Sequence, residues 1–183
     1  MKFVKIASLL AMALASAAPL TASAQVMVGG AAMYASKDII DNAVNSKDHT
    51  TLVAAVKAAG LVDTLKGTGP FTVFAPTNAA FAALPAGTVD TLLKPESKPA
   101  LTKVLTYHVV AGKMDAASLM AAIKAGGGKA TLKTVSGGML TASVAGGAVK
   151  VMDESGGTAT VTIADVIQSN GVIHVVDKVL LPK

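Results

Sequence analysis

The chain of 183 residues contains no cysteine, no tryptophan and no arginine. The absence of cysteine excludes disulfides, thiol nucleophiles, iron–sulfur clusters and cysteine-ligated zinc. All 16 basic residues are lysines, and they are scattered along the chain rather than clustered. Nucleic-acid-binding proteins usually carry a basic stripe with arginines and stacking aromatic residues, so the composition argues against a nucleic-acid partner.

The N-terminus has the pattern of an export signal. Lys2 and Lys5 precede the apolar run 6–20, and Ala22-Ser23-Ala24 then supplies the small residues that a signal peptidase accepts. Polar residues and a proline dilute the run, whereas a membrane-spanning helix needs about 20 apolar residues. We therefore predict a cleaved signal peptide over 1–24, export to the periplasm or the medium, and no membrane span after cleavage.

Cleavage leaves about 160 residues, which is the size of one ordinary domain and suffices for a stable core without disulfides. Residues 25–35 are small, include two glycines and show no periodicity. We predict a flexible arm over 25–35, with a docking strip made of Met27, Met33 and Tyr34 as the alternative. The domain itself is predicted over 36–183.

Three amphipathic segments precede the first predicted strand. The first, 38–44, follows Ser36, which we predict as its N-cap, and the second, about 49–59, ends at Gly60. A third short helix is predicted over 61–65. Later helices with the same apolar spacing are predicted after these capping residues: Thr77 or Asn78, Ser97, and Asp115.

Almost all the phenylalanine of the chain is concentrated in eleven residues, at Phe71, Phe74 and Phe81. Alternation over 71–76 predicts a short strand, and Pro76 ends it because proline cannot donate to a sheet ladder. The helix capped by Thr77 or its neighbour then carries Phe81 on its apolar face. We interpret this strand, proline corner and helix as an internal staple that joins the helices to the sheet.

Beyond residue 128 the apolar period changes from 3.6 to 2, which is typical of half-buried strands. Apolar and polar residues alternate over 140–144, 149–151 and 158–163, and Gly-Gly pairs stand in the connections. Glycine supplies the positive φ that tight hairpin turns require. We predict an antiparallel meander with a solvent-facing side of Thr, Ser and Lys, to which no function is assigned.

The last segment is almost continuously apolar. Residues 172–181 follow the turn signal Ser169-Asn170-Gly171 and contain few polar side chains. An apolar run of this kind, bounded by turns, is typical of a strand that is covered on both faces. We predict that it lies in the centre of the sheet.

Three ordered motifs make the chain resemble the fasciclin-type (FAS1) domain family, as a single-domain secreted bacterial-type member. They are Thr72–Phe81, the pair Tyr107-His108, and Asn170–Asp177. The resemblance covers about Ser36–Pro182 and implies an α+β fold, an antiparallel β-sandwich or wedge with N-terminal and inserted helices packed alongside. It also assigns structural roles to the following motif residues: Phe71, Phe74, Pro76, Thr77, Phe81, Asn170, Gly171, His174 and Asp177.

The resemblance implies adhesion or protein–protein contact at a cell surface or in the extracellular matrix, with no catalysis and no cofactor. Its expected partner is an extracellular or cell-surface protein or a matrix component. Contact in animal matrix members has been ascribed to a short acidic motif before the second signature, which falls on 163–167, and to the Tyr-His pair. The candidate contact residues are therefore Tyr107, His108, Asp165 and Val166. Ile163-Ala164 replaces the residues that precede the acid in those proteins, so only a general adhesive role transfers.

Alternatives stay open for several of these residues. His108 is either a buried structural hydrogen-bonding group or a contact residue, and Asp165 either satisfies backbone N–H groups or forms a contact hot spot. The three histidines are far apart and show no metal-ligand spacing, so no metal site is predicted. The alternative function is binding of a small apolar ligand or polysaccharide in a cleft between helices and sandwich, because 52% of the residues are hydrophobic. The oligomeric state is left open.

Overall fold

The computed structural model describes residues 25–183, and the predicted signal peptide over 1–24 lies outside them. The helices are α1 Ile39–Ala43, α2 Thr50–Ala59, α3 Val62–Lys66, α4 Asn78–Ala82, α5 Thr88–Leu92, α6 Lys98–Tyr107 and α7 Ala116–Ala125. The strands are β1 Met27–Val28, β2 Ala31–Ala32, β3 Phe71–Pro76, β4 Val109–Ala111, β5 Lys129–Lys133, β6 Met139–Ala145, β7 Ala148–Met152, β8 Thr158–Gln168 and β9 Gly171–Val176. Short 3₁₀ turns at Lys47–His49 and Pro95–Ser97 lead into α2 and α6.

The segment predicted as a flexible arm is a small hairpin packed on the domain. Strands β1 and β2 pair antiparallel, and the side chains of Val28 and Met33 are buried in the main core. Lys47 N–H donates to Gly29 O at 3.3 Å, which ties the turn of the hairpin to the first 3₁₀ segment. The prediction of an arm over 25–35 is therefore wrong where the hairpin forms. Two-residue strands are too short to show periodicity, and tertiary burial of two side chains holds them in place.

The early helices follow the predicted order, with one change of cap. Asp38, rather than Ser36, is the N-cap of α1, because its side chain accepts a hydrogen bond from Asp41 N at 2.8 Å. Lys66 Nζ lies 3.0 Å from an Asp38 carboxylate oxygen and links α3 to this cap. Gly60 ends α2 in the left-handed conformation, with φ 71°, as its position predicted.

Seven strands form one sheet in the order β4-β3-β9-β8-β7-β6-β5. β9 lies between β3 and β8, and all six of its residues are buried, which confirms the predicted central strand. The predicted meander is also confirmed, since β5 to β9 pair antiparallel in succession. β3 and β9 run parallel, so the sheet is mixed rather than wholly antiparallel. Helices α4 to α7 and strands β4 to β8 lie between β3 and β9 in the chain. No local sequence pattern reveals the direction in which two such distant strands pair.

Strands β3 and β9 separate two apolar cores. Val73 and Ala75 face the core beneath the helices, where Phe81 of α4 is also buried. Phe74 points to the opposite side and packs with Tyr107 and the inner face of the meander. Because a strand alternates its side chains, the phenylalanine-rich stretch serves both cores at once. This agrees with the interpretation of the stretch as an internal staple.

The two ends of the sheet approach each other. Val110 in β4 and Thr134, just after β5, form an isolated antiparallel bridge. Val135 N–H also donates to Val109 O at 2.8 Å across this seam. The sheet therefore curls into a nearly closed wedge, with Leu119 and Ile123 of α7 buried inside it.

Candidate functional site

Tyr107 is the last residue of α6, and its side chain has no solvent exposure at 0%. Its hydroxyl donates to Met139 O at 2.8 Å and accepts from Glu154 N at 3.0 Å. Burial raises the pKa of this phenol above its usual range. A Cβ added to Gly138 would lie 2.6 Å from the tyrosine ring, so the turn before β6 is packed directly on it. Tyr107 thus joins α6 to the meander.

His108 is also buried, with 2% of its surface exposed. Its Nε2 lies 2.9 Å from Leu180 N, and its Nδ1 lies 2.8 Å from Val104 O. Since a backbone N–H can only donate, Nε2 accepts from Leu180 and Nδ1 carries the proton that is donated to Val104 O. Burial lowers the pKa of His108 to about 4, which keeps the ring neutral at physiological pH.

Neither member of the Tyr-His pair reaches the surface, so the geometry favours the structural role for both over direct contact with a partner. Val166, the aliphatic member of the candidate contact set, is also fully buried. The sequence could not distinguish these two roles, because the residue types alone do not show whether the Tyr-His pair is buried or exposed. Among the four candidate contact residues, only Asp165 has a partly exposed side chain.

Asp165 lies in an irregular part of β8, where the register with β9 shifts between Ile163 and Val166. Its backbone has a left-handed φ of 56°, and it is the one non-glycine residue with positive φ in the described chain. Its Oδ1 accepts from Ala116 N at 2.7 Å, at the first turn of α7. The carboxylate therefore satisfies a backbone N–H, but that N–H belongs to a helix and not to the entrance of the strand. A bulge of this kind redirects a side chain away from the regular alternation.

His174 supports this bulge from β9. Its Nε2 donates to Met114 O at 2.7 Å, and its ring stacks on Phe74 with a centroid distance of 5.6 Å. Asp165 N points at His174 Nδ1 from 3.4 Å, a long contact in which the nitrogen acts as acceptor. Desolvation by burial lowers the pKa of His174, so the ring is held neutral in this arrangement.

An open groove lies beside Asp165. It has a volume of about 550 Å³ and is lined by residues 25–26 and 33–36 on one side and by Asp165 and Ile167 on the other. Tyr34 is 40% exposed at this groove, and Lys37 Nζ lies 5.1 Å from the centre of its ring. The fold thus brings an exposed aromatic ring and a half-buried carboxylate to one surface, although 131 positions separate the two residues in the chain.

The sequence analysis named Tyr34 only as part of a docking strip with Met27 and Met33. The structure leaves Met27 and Tyr34 exposed but buries Met33. The one local signal for Tyr34 is that it is one of only two tyrosines in the chain. Its proximity to Asp165 follows from the packing of the hairpin and could not be read from spacing.

Asn170, the first residue of the second motif, connects the β8–β9 turn to two helices through its side chain. Its Oδ1 accepts from Ile39 N at 3.1 Å, and its Nδ2 donates to Leu65 O at 2.6 Å and to Gly67 O at 3.1 Å. One side chain therefore fixes the start of α1 and the end of α3 against the β8–β9 turn. A Cβ on Gly171 would lie 2.1 Å from Phe71 O, so only glycine allows β3 to pair this closely with β9.

The remaining motif residues also have structural contacts. Thr77 caps α4 by accepting from Ala80 N at 3.2 Å, which settles the choice between Thr77 and Asn78. Asn78 instead accepts from Thr51 N at 3.0 Å in the first turn of α2. Asp177 accepts from Thr160 N at 2.7 Å and extends the β8–β9 pairing.

An apolar cavity lies between the helices and the sheet, beside Leu52, Val56, Val73 and Ile173. Its volume is about 50 Å³. Pockets for small organic ligands usually have volumes of about 300–1,000 Å³. The space between helices and sheet is therefore too small for the apolar ligand of the alternative function without a rearrangement of the core.

Comparison with known proteins decides the family. The fasciclin domain model matches residues 47–182, which include all three motifs. Helix α1 precedes the matched residues. The chain belongs to the fasciclin domain family. A protein of Synechocystis, sll1483, is 49% identical over 162 residues, which cover 88% of this chain and 83% of that protein.

One further relative and one solved structure are also similar to this chain. The cell surface glycolipoprotein MPB83 of Mycobacterium bovis is 35% identical over 159 residues, which cover 84% of this chain and 64% of that protein. The solved FAS1 domain pair of the insect cell adhesion molecule fasciclin I matches with a TM-score of 0.70 at 18% identity, over 79% of this chain and 51% of that one. The second comparison confirms the fold. Within residues 25–183, no helix is long and apolar enough to cross a membrane.

Proposed function

We propose that this fasciclin domain is an exported adhesion or protein-interaction module that binds an extracellular or cell-surface protein, or a matrix component, and catalyses no reaction. The groove beside Asp165 is its proposed contact surface. The family membership supports an interaction role, since relatives include a cell surface glycolipoprotein and a cell adhesion molecule. The observation that carries the choice of surface is the meeting of Tyr34 and Asp165 at one open groove.

The chemistry of the groove fits a protein partner. Tyrosine offers a rigid apolar ring with a polar tip, and such residues are enriched among the hot spots of interfaces. One oxygen of Asp165 is used by Ala116 N, and its other oxygen makes no hydrogen bond within the described residues. A partner can therefore donate to that oxygen while an apolar group packs on the ring of Tyr34. Lys37 beside the ring adds a cation at the rim.

The proposal is tested by capture of surface components with the purified exported protein and two groove variants. Tyr34→Ala removes the exposed ring, and the loss of a hot spot of about 2 kcal/mol weakens binding by about 30-fold. Asp165→Asn keeps a side-chain oxygen that can accept from Ala116 N, and asparagine tolerates the left-handed backbone conformation at this position. The substitution removes only the negative charge. Asp90→Asn, at an exposed position of α5 that does not line the groove, makes the same charge change and serves as the control.

We expect both groove variants to lose the captured partner while their melting temperatures and that of Asp90→Asn stay near the wild-type value. Equal capture by the wild type and both groove variants would show that the groove is not the contact surface. Absence of any captured component from cell surface and matrix fractions would oppose the interaction role itself. Export is checked separately, by locating the protein in periplasm, medium or cytoplasm after fractionation.

A further inference from the structure

The outer side of strands β5, β6 and β7 faces solvent and is rich in lysine and hydroxyl groups. Ala130, Leu140 and Val151 alternate with the outward residues of these strands and are buried in the core that contains Tyr107. Successive side chains of a strand point to opposite faces, so the residues next to them point outward. We define the lysine face by six outward residues, each exposed or half-buried: Lys129, Thr131, Lys133, Thr141, Ser143 and Lys150.

The pairing of the strands fixes the distances between the lysines. Lys129 lies opposite Ser143, and Ser143 lies opposite Lys150 on the next strand. Because neighbouring strands lie about 4.8 Å apart, the Cα atoms of Lys129 and Lys150 are separated by about 10 Å. Lys133 lies further along β5, at a rise of about 13 Å from Lys129. The Debye length is about 8 Å at physiological salt, so the three lysines repel one another only weakly.

The positive charge of the lysine face has no counter-charge of its own. Residues 116–152, from the start of α7 to the end of β7, contain four lysines and no acidic residue. Within residues 25–183 the ion pairs are those of Lys66 with Asp38 and Asp41, so the three lysines of the face have none. Solvation alone would be met by charges of either sign, and protein surfaces usually intersperse both. A surface with one sign of charge attracts ligands of the opposite sign.

Two carboxylates lie at the margins of the lysine face, and both are bound to the backbone. Glu154 Oε1 accepts from Met139 N at 2.9 Å, and Asp177 Oδ1 accepts from Thr160 N at 2.7 Å. In the described part of the chain, neither carboxylate forms a salt bridge with a lysine of the face. The lysines are therefore available to an anionic ligand that lies across the middle of the face.

The side chains around the lysines indicate which kind of anion fits. The face contains no aromatic residue, whereas proteins that bind single-stranded nucleic acids stack the bases on aromatic side chains. The large apolar side chains exposed beside it are Met139 and Met152. The aromatic anchors of protein interfaces and the Trp, Phe and Leu of membrane-inserting surfaces are thus missing from this face. The hydroxyls of Thr131, Thr141 and Ser143 can both donate and accept hydrogen bonds, which matches the hydroxyl groups of a sugar chain.

We propose that the lysine face binds an acidic polysaccharide. The carboxylates of the sugar chain pair with the three lysines, and its hydroxyl groups exchange hydrogen bonds with the threonines and Ser143. Each exposed ion pair is weak by itself, so binding requires that one polymer contacts several lysines at once. The lysine face and the Asp165 groove share no residue, so this inference does not depend on the proposed function of that groove.

The test uses the purified exported protein and oligogalacturonate, an acidic sugar chain whose charge resides in carboxylates. Its methyl ester is the matched neutral probe, because the same chain then carries no charge. Affinity is measured by isothermal titration calorimetry, and the contact surface is located by NMR shifts of the backbone amides. We expect shifts concentrated in β5, β6 and β7, and binding of the ester that is at least about tenfold weaker. Binding of the acid should be lost at high salt, where the Debye length falls to about 3 Å.

Two triple variants separate the lysine face from the total charge of the protein. The first neutralises the lysines of the face: Lys129→Gln, Lys133→Gln and Lys150→Gln. The second neutralises three exposed lysines of the helical part of the chain: Lys57→Gln, Lys94→Gln and Lys98→Gln. The first variant should bind oligogalacturonate at least about tenfold more weakly than the wild type, because three exposed ion pairs are lost. The second variant has the same net charge as the first and should bind like the wild type.

A hydroxyl variant distinguishes a sugar chain from other anions. Thr141→Val keeps the charge of the face and suits a strand, but it removes one hydroxyl group. We expect this variant to bind oligogalacturonate about fivefold more weakly, since one hydrogen bond to the sugar is lost. Its binding of polyglutamate, which has no sugar hydroxyls, should stay at the wild-type level.

Three results would overturn the inference. The first is absent binding of oligogalacturonate, or equal binding by the wild type and the variant with the neutralised face. The second is binding of polyglutamate or of anionic lipid vesicles at least as tight as that of oligogalacturonate, which would assign the face to an acidic protein or a membrane. The third is loss of oligogalacturonate binding in Tyr34→Ala, which would place the sugar chain in the Asp165 groove. Unchanged binding by Tyr34→Ala would support a separate site, even if the groove proves not to bind a protein.

Discussion

Acidification should destabilise this fasciclin domain well above the pH at which its carboxylates titrate, and His108 is the main cause. The ring is buried, accepts from Leu180 N through Nε2 and donates to Val104 O through Nδ1. Protonation of Nε2 would turn the acceptor toward a backbone N–H into a second donor. The C-terminal segment around Leu180 would then lose its hydrogen bond and face a buried charge.

The size of the loss in stability follows from the difference between the pKa of His108 in the folded protein and its pKa in the unfolded chain. Burial sets the pKa of His108 to about 4 in the folded protein, against 6.5 for a solvated histidine. Because the folded-state value is the lower one, the unfolded chain takes up the proton first as the pH falls. The free energy of unfolding should decrease by about 2 kcal/mol between pH 7 and pH 5, and by about 3 kcal/mol in all below pH 4. His49 and His174 add to the decrease, since desolvation lowers the pKa of each.

Urea denaturation at a series of pH values between about 5 and 7 measures this loss, and an NMR titration of the ring carbons gives the pKa of His108 directly. The variant His108→Gln has no titrating group at this position, so its stability should fall less steeply with pH than that of the wild type. A ring that titrates near 6.5, or a variant with an unchanged pH dependence, would refute the role given to burial. If the variant does not fold, the ring titration alone decides.

Three substitutions test other parts of the fold by chemical denaturation. Phe74→Ala removes a fully buried ring from the core that contains Tyr107 and should cost about 3–5 kcal/mol; a fully stable variant would contradict the interpretation of this stretch as a staple. Tyr107→Phe leaves Glu154 N and Met139 O without their partner and should cost about 1–3 kcal/mol, whereas no change would mean that water replaces the hydroxyl. Asp38→Ala removes the cap of α1 and should cost about 1 kcal/mol, while Ser36→Ala, the matched control, should cost almost nothing.

Local patterns in the sequence were sufficient to predict most of the helices and the antiparallel meander. Gly60 and Thr77 mark helix ends through backbone and side-chain chemistry that acts within a few residues, and the structure has both in the predicted roles. The alternation in the C-terminal half likewise predicted the half-buried strands β6, β7 and β8. The five residues of β5 have only Ala130 and Leu132 facing inward, and the sequence analysis assigned no strand there.

The candidate site was less accessible to sequence reasoning. Three of the four candidate contact residues are buried, and the exposed partner of the fourth, Tyr34, comes from a segment that was expected to be a flexible arm. Motif resemblance identifies positions that a fold needs, and such positions are often buried for packing or for internal hydrogen bonds. Asn170 is an example, since its polar side chain serves two helix ends inside the domain.

The sequence by itself determined the fasciclin family, the order of most helices and strands, and the buried central strand, because these depend on periodicity, caps and turns within short stretches. Tertiary structure alone decided the parallel pairing of β3 with β9, the packing of the N-terminal hairpin, the groove at Asp165 and the arrangement of the lysine face on β5 to β7. Each of these depends on contacts between residues far apart in the chain. Their free energies come from burial and pairing that no local pattern of residues records.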